Sequence, residues 1–191
     1  EDVIFTATDH ADFAFHVEIC EDMWAPTPPS TMGALAGANI LLNMSASNIT
    51  IGKAEDRAIL CDAQSRRCSA AYVFAASGRG ESTTDLAWDG QIVAYEMGEK
   101  IAEGERFAPE PKLVIADVDV GRIAQERRRL SNFRDAQARK KEELIKWAHI
   151  TFELNAPQSA LPLQRKLDRF PFVPDDPAKR DRECFEAYNI Q

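Results

Sequence analysis

The sequence predicts an α/β fold, or a layered α+β variant of it, in which buried strands alternate with helices. Two short segments are almost entirely apolar, which is typical of strands buried on both faces. The stretches between them carry capping residues and inward-facing apolar positions, which indicates helices. The composition of 191 residues, with 45% apolar and 28% charged side chains, is that of a packed domain.

Periodicity predicts the strands in chain order. Residues 12–20, DFAFHVEIC, alternate with a period of two, which indicates a strand with Cys20 at its end. The apolar runs at 38–47 and 70–78 predict two fully buried strands. The segment 85–107 predicts two strands around a turn at Met97–Gly98, and residues 112–120 predict one more.

Capping and spacing predict the helices. Ser30 is the expected N-cap of a short helix over 31–38. A second helix is expected at 54–70, with Ile59, Cys61 and Cys68 on its inner side. The remaining expected helices cover 121–130, which is strongly charged, and approximately 134–148.

The pattern weakens beyond residue 133. Residues 134–191 hold five of the ten prolines and many charges, which predicts an irregular, partly helical C-terminal extension. The sequence therefore predicts a core over residues 1–133 and a linker over 134–191.

Charge and composition exclude several partners. The formal net charge of −8 disfavours general binding to nucleic acid or to anionic lipid. No apolar run approaches the roughly 20 residues of a membrane span. Four scattered cysteines are too few for a disulfide framework in a chain of this length, so we expect a cytoplasmic protein.

Cys20 is the strongest candidate for chemistry. It ends a strand directly before a turn, where backbone N–H groups can stabilise an oxyanion while a thiolate attacks a carbonyl. Spacing alone favours the alternative that Cys20 is a small buried apolar residue. Pairing of Cys20 with His10, His16 or His149, as in papain-like sites, stays open.

Other motifs carry less information. The spacing of His10, His16 and Cys20 matches no standard zinc site, so no metal site is expected. Residues 122–147 carry a local charge of +5, from nine basic and four acidic residues. A nucleic-acid or acidic-partner surface is one interpretation, but the lack of interleaved aromatic residues favours a solvated helix. No glycine-rich phosphate loop is present.

Three stretches of the chain resemble a known family. They are HVEICEDMWAPTPPS at 16–30, GALAGANILLNMSASNITIGK at 33–53 and SAAYVFAASGRGESTTDLAWDGQ at 69–91. Together they resemble the glutaminase domain of the glutamine-dependent NAD(+) synthetases, in the nitrilase or carbon–nitrogen hydrolase superfamily. AEGERF at 102–107 is also similar, and FPFVPDD and ECFEAYNIQ near the end resemble that family's linker to its synthetase domain. The resemblance implies part of a nitrilase-like αββα four-layer sandwich.

The resemblance also implies roles for four residues. Cys20 matches the family's nucleophile, which attacks the side-chain amide of glutamine, releases ammonia and leaves a thioester for water to hydrolyse. Glu21 supplies a backbone N–H to the oxyanion, and Ser47 and Lys53 match the residues that recognise glutamine. Arginine is common at the position of Lys53, and lysine loses its planar, two-pronged hydrogen bonding to a carboxylate.

The family's catalytic triad adds a glutamate and a lysine that precede the cysteine. Only nineteen residues precede Cys20 here and none is a lysine, so we expect both groups to lie upstream of residue 1. The chain is then a piece of a longer ligase, inactive alone, whose exposed sheet favours a homo-oligomer. Its partners are glutamine and the remaining parts of the enzyme.

The resemblance also sets the expected cofactors. It implies no cofactor in this segment, and it implies ATP and Mg²⁺ in the synthetase domain, which amidates nicotinate-adenine dinucleotide. A stand-alone nitrilase-type amidase and a non-catalytic interaction module are the alternatives. A lysine some tens of residues before Cys20 in the longer sequence would favour the enzyme over the interaction module.

Overall fold

The chain divides into two compact units, Glu1–Leu161 and Pro162–Gln191. The computed structural model describes residues 2–81, 86–157, 159–165, 167, 173–174 and 176–190. Parts of three family-like stretches, namely residues 82–85, residues 170–172 and 175, and residue 191, lie outside the described residues. The first unit extends past the expected boundary at residue 133.

A seven-stranded mixed sheet forms the first unit. Its strands are β1 (Val3–Ala7), β2 (Ala14–Ile19), β3 (Ile40–Ser45), β4 (Ala71–Ala76), β5 (Ile92–Glu96), β6 (Glu99–Glu103) and β7 (Ala148–Phe152). Their order across the sheet is β6-β5-β4-β3-β2-β1-β7. Strands β2, β3 and β4 are parallel, so their carboxyl ends share one edge of the sheet.

Six α-helices lie in the described residues, and the first two connect the parallel strands. They are α1 (Pro29–Ala36), α2 (Lys53–Arg67), α3 (Val120–Arg129), α4 (Ser131–Arg139), α5 (Lys141–Leu144) and α6 (Pro177–Ile190). A short 3-10 helix, Cys20–Trp24, follows β2. Helices α1 and α2 cover one face of the sheet, where Leu41, Tyr72 and Phe74 are buried together with Cys61. Among the described residues, no helix has the length and apolarity that crossing a bilayer requires.

The opposite face of the sheet is only partly covered. Ile123 of α3 packs there against Ile40 and Ala71. Farther along the same face, Ile19 and Met44 pair in register and are 54% and 57% exposed. The sheet therefore carries an apolar surface beside the carboxyl end of β2, on the side away from α1 and α2.

Most predicted elements are confirmed, but the strand expected at 112–120 is wrong. Residues 111–119 have no regular structure, and α3 begins at Val120. Val118 and Val120 pack against the cluster around Ile123 instead of pairing with a strand, while Leu113 is exposed. The apolar pattern thus reflects contact with a sheet face and not membership of the sheet.

Two details of the predicted helices are also wrong. Pro28 is the N-cap of α1, and Ser30 lies inside the first turn, where its N–H donates to Glu18 Oε2 at 2.8 Å. Ile59 is 64% exposed, whereas Cys61 and Cys68 face the core as expected. Proline fits the start of a helix because its fixed φ and missing N–H cost nothing there.

Residues beyond 133 complete the sheet. Strand β7 pairs in parallel with β1 at the edge, and Trp147 just before it is buried against the ring of His16. The sequence AHITF alternates apolar and polar residues, but the side chains of β7 are mostly exposed. The strand was missed because the predicted helix over approximately 134–148 extended to its first residue.

Candidate active site

An open depression lies at the carboxyl ends of β2 and β3. Ligands of open α/β sheets commonly bind at this position. The depression has a volume of about 860 Å³. Its lining includes all four site residues expected from the sequence, namely Cys20, Glu21, Ser47 and Lys53, together with Ile19, Asp22, Trp24 and Ala25.

Cys20 sits in a constrained turn between β2 and the 3-10 helix. Its backbone φ is +54°, in the left-handed region that non-glycine residues rarely adopt. The N–H of Ile19 donates to Asp22 Oδ2 at 2.8 Å and closes this turn. Ser45 Oγ lies 3.7 Å from Cys20 Sγ and donates to it. The thiol is half-buried, so a small reagent in the depression can reach it.

Glu21 is the second residue of the 3-10 helix, and its side chain is exposed. The first N–H groups of such a helix have no acceptor within the helix itself. The Glu21 N–H is one of these groups and directly follows the thiol-bearing residue, so it is available as an oxyanion donor.

Ser47 and Lys53 contact each other across the loop that joins β3 to α2. Lys53 Nζ donates to Ser47 Oγ at 2.7 Å and to the carbonyl oxygen of Asn48 at 2.9 Å. Lys53 begins α2, so the helix fixes the base of its side chain. A cation and a hydroxyl thus lie together in the depression, a pairing suited to a carboxylate or another polar ligand group.

Arg57 anchors the same loop from below, and the sequence analysis missed it. This fully buried side chain donates to the carbonyl oxygens of Ser47 and Asn48 at 2.9 and 3.1 Å. It also pairs with buried Asp89 at 3.1 Å, and Arg106 binds the other oxygen of Asp89 at 2.9 Å. An arginine four residues after Lys53 looks like a solvated helix position, so no sequence signal distinguished it.

A second polar cluster lies under the turn of Cys20. Glu18 is buried and accepts hydrogen bonds from the Tyr72 hydroxyl, the Ser30 N–H and Asn43 Nδ2. Burial, with Glu18 adding to it, raises the pKa of Tyr72, so its hydroxyl stays protonated and donates. The sequence indicated this cluster only through the position of Glu18 on the inward face of β2.

The histidine alternatives for Cys20 find no support in the geometry. His16 donates from Nδ1 to the carbonyl oxygen of Val3 at 2.8 Å, and its ring packs against Trp147 and Gly33. His10 is exposed and bonds to its neighbour Ala11. His149 lies on β7, and β1 separates that strand from β2, which Cys20 follows.

The two buried cysteines, Cys61 and Cys68, do not line the depression. Cys61 and Cys68 are buried, and burial raises their pKa values to about 12 and about 11, so both remain thiols at neutral pH. Within the described part of the chain, no group of three or more histidine, cysteine, aspartate or glutamate side chains could hold a metal ion.

Comparison with known proteins gives sequence relatives and fold relatives. A glutamine-dependent NAD(+) synthetase of Mycobacterium tuberculosis is 50% identical over 190 residues, which cover 100% of this chain and 28% of the relative. A carbon–nitrogen hydrolase structure from Helicobacter pylori matches 72% of this chain and 51% of its own, with a TM-score of 0.54 and 18% identity. Nit3 of Saccharomyces cerevisiae, a nitrilase-superfamily member, matches 62% of this chain and 42% of its own at TM-score 0.52 and 20% identity. No family model matches. The chain has the nitrilase-superfamily fold and spans about 28% of the synthetase relative.

Proposed function

We propose that this chain is the nucleophile-bearing part of the glutaminase region of a glutamine-dependent NAD(+) synthetase. The observation that carries the proposal is the convergence of Cys20, Ser47 and Lys53 on one depression of a nitrilase-type fold. The 50% identity over the whole chain to a protein of that name supports it.

In this proposal the turn of Cys20 carries the reaction. The Cys20 thiolate attacks the side-chain carbonyl carbon of glutamine, and the Glu21 N–H donates to the oxyanion that forms. The C–N bond then breaks, the nitrogen takes up a proton, and ammonia leaves a thioester on Cys20. Water adds to the thioester and releases glutamate and the free thiol. The family's general-base glutamate and the lysine that supports the oxyanion come from the remaining part of the enzyme.

Ser47 and Lys53 hold the substrate in this proposal. The Lys53 ammonium attracts the carboxylate of glutamine, and the Ser47 hydroxyl adds a hydrogen bond beside it. Both groups are fixed by the loop that Arg57 anchors. Binding energy from these two groups orients the amide toward Cys20.

The rest of the enzyme supplies the remaining functions. The partly exposed face around Ile19 and Met44 is where the second sheet of the four-layer sandwich packs. The released ammonia amidates nicotinate-adenine dinucleotide in a synthetase region that binds ATP and Mg²⁺. The complete enzyme is cytoplasmic and homo-oligomeric. Because the upstream glutamate and lysine are needed for turnover, this chain alone hydrolyses glutamine negligibly.

Lys53 offers a direct test of substrate recognition. We expect Lys53→Met to raise the half-saturating concentration of a chloroketone analogue of L-glutamine at Cys20 about tenfold, because one charge-assisted hydrogen bond is lost. We expect Lys53→Arg to lower that concentration, since its planar guanidinium can bind a carboxylate with two bonds. The measurement is the rate of Cys20 modification, followed by intact mass at several analogue concentrations.

Lys100→Met is the matched control, because Lys100 is an exposed lysine on β6 outside the depression. Its half-saturating concentration should equal that of the unchanged chain. Equal values for Lys53→Met and Lys100→Met would contradict the role of Lys53.

A further inference from the structure

The backbone of Cys20 requires support from its neighbours. A cysteine at φ +54° has left the regions that L-residues favour, and such a conformation persists only where surrounding groups fix it. Asp22 fixes one side through the N–H of Ile19. A second side chain donates to the carbonyl oxygen of Cys20.

Asn43 on β3 provides that donor. It lies opposite Glu18 in the parallel register of β2 and β3 and is 1% exposed. Its Nδ2 group donates to the Cys20 carbonyl oxygen at 3.3 Å and to Glu18 Oε1 at 3.4 Å. Glu18 is held in turn by the Tyr72 hydroxyl and the Ser30 N–H. The carboxamide thus joins a fixed buried carboxylate to the backbone of the nucleophile.

The oxygen atom of the Asn43 carboxamide makes no comparable contact. Asn43 Oδ1 is buried and has no hydrogen-bond partner in the structure. Leaving a buried acceptor without a donor is costly, and native proteins retain few such groups. An apolar side chain would fill this buried strand position without that cost, so the value of the asparagine lies in its two N–H donors.

We propose that Asn43 is a positioning residue for the nucleophile: it holds the Cys20 backbone in the left-handed turn that aims the thiol into the depression. The inference rests on the proposed function only in taking Cys20 as the nucleophile. Asn43 makes no part of the depression's lining, so it acts through Cys20 and not through the substrate.

Asn43→Leu is the variant that tests this. Leucine has a similar size and suits a buried strand, and it removes both donors together with the unpartnered oxygen, so residue 43 keeps no buried polar side-chain atom. Asn39→Ala is the control, because Asn39 is 6% exposed, adjoins the same strand and also donates to a backbone carbonyl, that of Asp12, at 2.7 Å. It lies far from the turn of Cys20. If Asn43→Leu fails to fold, Asn43→Ala replaces it.

The first measurement is alkylation by iodoacetamide, resolved by peptide mapping. Cys184 is exposed on α6 and serves as the internal reference, while Cys61 and Cys68 are buried thiols that do not compete. The Cys20:Cys184 rate ratio should fall about tenfold in Asn43→Leu, as expected for the loss of one hydrogen bond, and stay within about twofold in Asn39→Ala. An unchanged ratio in Asn43→Leu, or an equal fall in both variants, would overturn the inference.

The second measurement uses the chloroketone analogue of L-glutamine. Asn43→Leu should lower the maximal rate of Cys20 modification about tenfold and leave the half-saturating concentration unchanged, the reverse of the effect expected for Lys53→Met. A change in the half-saturating concentration alone would overturn the positioning role. If the unchanged chain shows no saturable reaction with the analogue, the proposed function fails, and the iodoacetamide ratio alone decides on Asn43.

Discussion

Asp89→Ala is expected to lower the free energy of unfolding by about 3–5 kcal/mol, because it leaves a buried guanidinium without its carboxylate. Arg57 and Asp89 have fully buried side chains and pair at 3.1 Å. Typical domains are stable by only about 5–15 kcal/mol, so this loss is a large share of the total. Denaturant unfolding followed by circular dichroism measures it.

Asp62→Ala is the matched control for Asp89→Ala. Asp62 pairs with Arg66 at the same distance of 3.1 Å, but both side chains are substantially exposed. Exposed pairs contribute about 0–1 kcal/mol, so this variant should unfold almost as the unchanged chain does. A loss below about 1 kcal/mol for Asp89→Ala would show that the buried pair does not stabilise the fold.

Arg127→Met is expected to have an effect of similar size, about 3–5 kcal/mol, because it leaves several buried oxygens without their donor and each costs about 1–3 kcal/mol. The Arg127 guanidinium donates to the carbonyl oxygens of Cys68, Ser69 and Ala38 at 2.9–3.1 Å and to Asn39 Oδ1 at 2.7 Å. Burial lowers its pKa to about 10, so it remains charged at neutral pH. Methionine fills the space but leaves these oxygens without a donor.

Arg128→Met provides the comparison, since it changes the next residue of α3, which is exposed. Its free energy of unfolding should differ from the unchanged chain by less than about 0.5 kcal/mol. Similar losses in the two variants would place the effect in helix α3 as a whole and contradict the role assigned to the Arg127 contacts.

The fold was predictable where local pattern and burial agree. The alternation in β2 and the apolar runs of β3 and β4 identify strands because each contacts helices on at least one face. The prediction of strands failed at β7 and at residues 112–120, for opposite reasons. The first is a mostly exposed edge strand whose short alternation directly follows a stretch predicted as helix, and the second is an apolar segment that crosses a sheet face without pairing.

The candidate site also has residues that the sequence predicted and residues that it did not. Cys20, Glu21, Ser47 and Lys53 stand in motifs whose resemblance to a family is visible in the sequence, and the structure brings all four together. The groups that support them were missed because their contacts span long separations. Asn43 reaches Cys20 across 23 residues, and Arg57 reaches Asp89 across 32. Arg127 looked like one more charge on a basic surface, yet its contacts lie 58–93 residues away.

The central claim is that the depression at the end of β2 recognises glutamine and presents Cys20 to it. The most direct measurement is intact-mass labelling of the chain with the chloroketone analogue of L-glutamine, followed by peptide mapping, with Cys20→Ala as the control. We predict one saturable adduct, on Cys20, that excess L-glutamine prevents and that Cys20→Ala abolishes. Labelling that glutamine does not slow, or that favours the exposed Cys184 over Cys20, would contradict the claim.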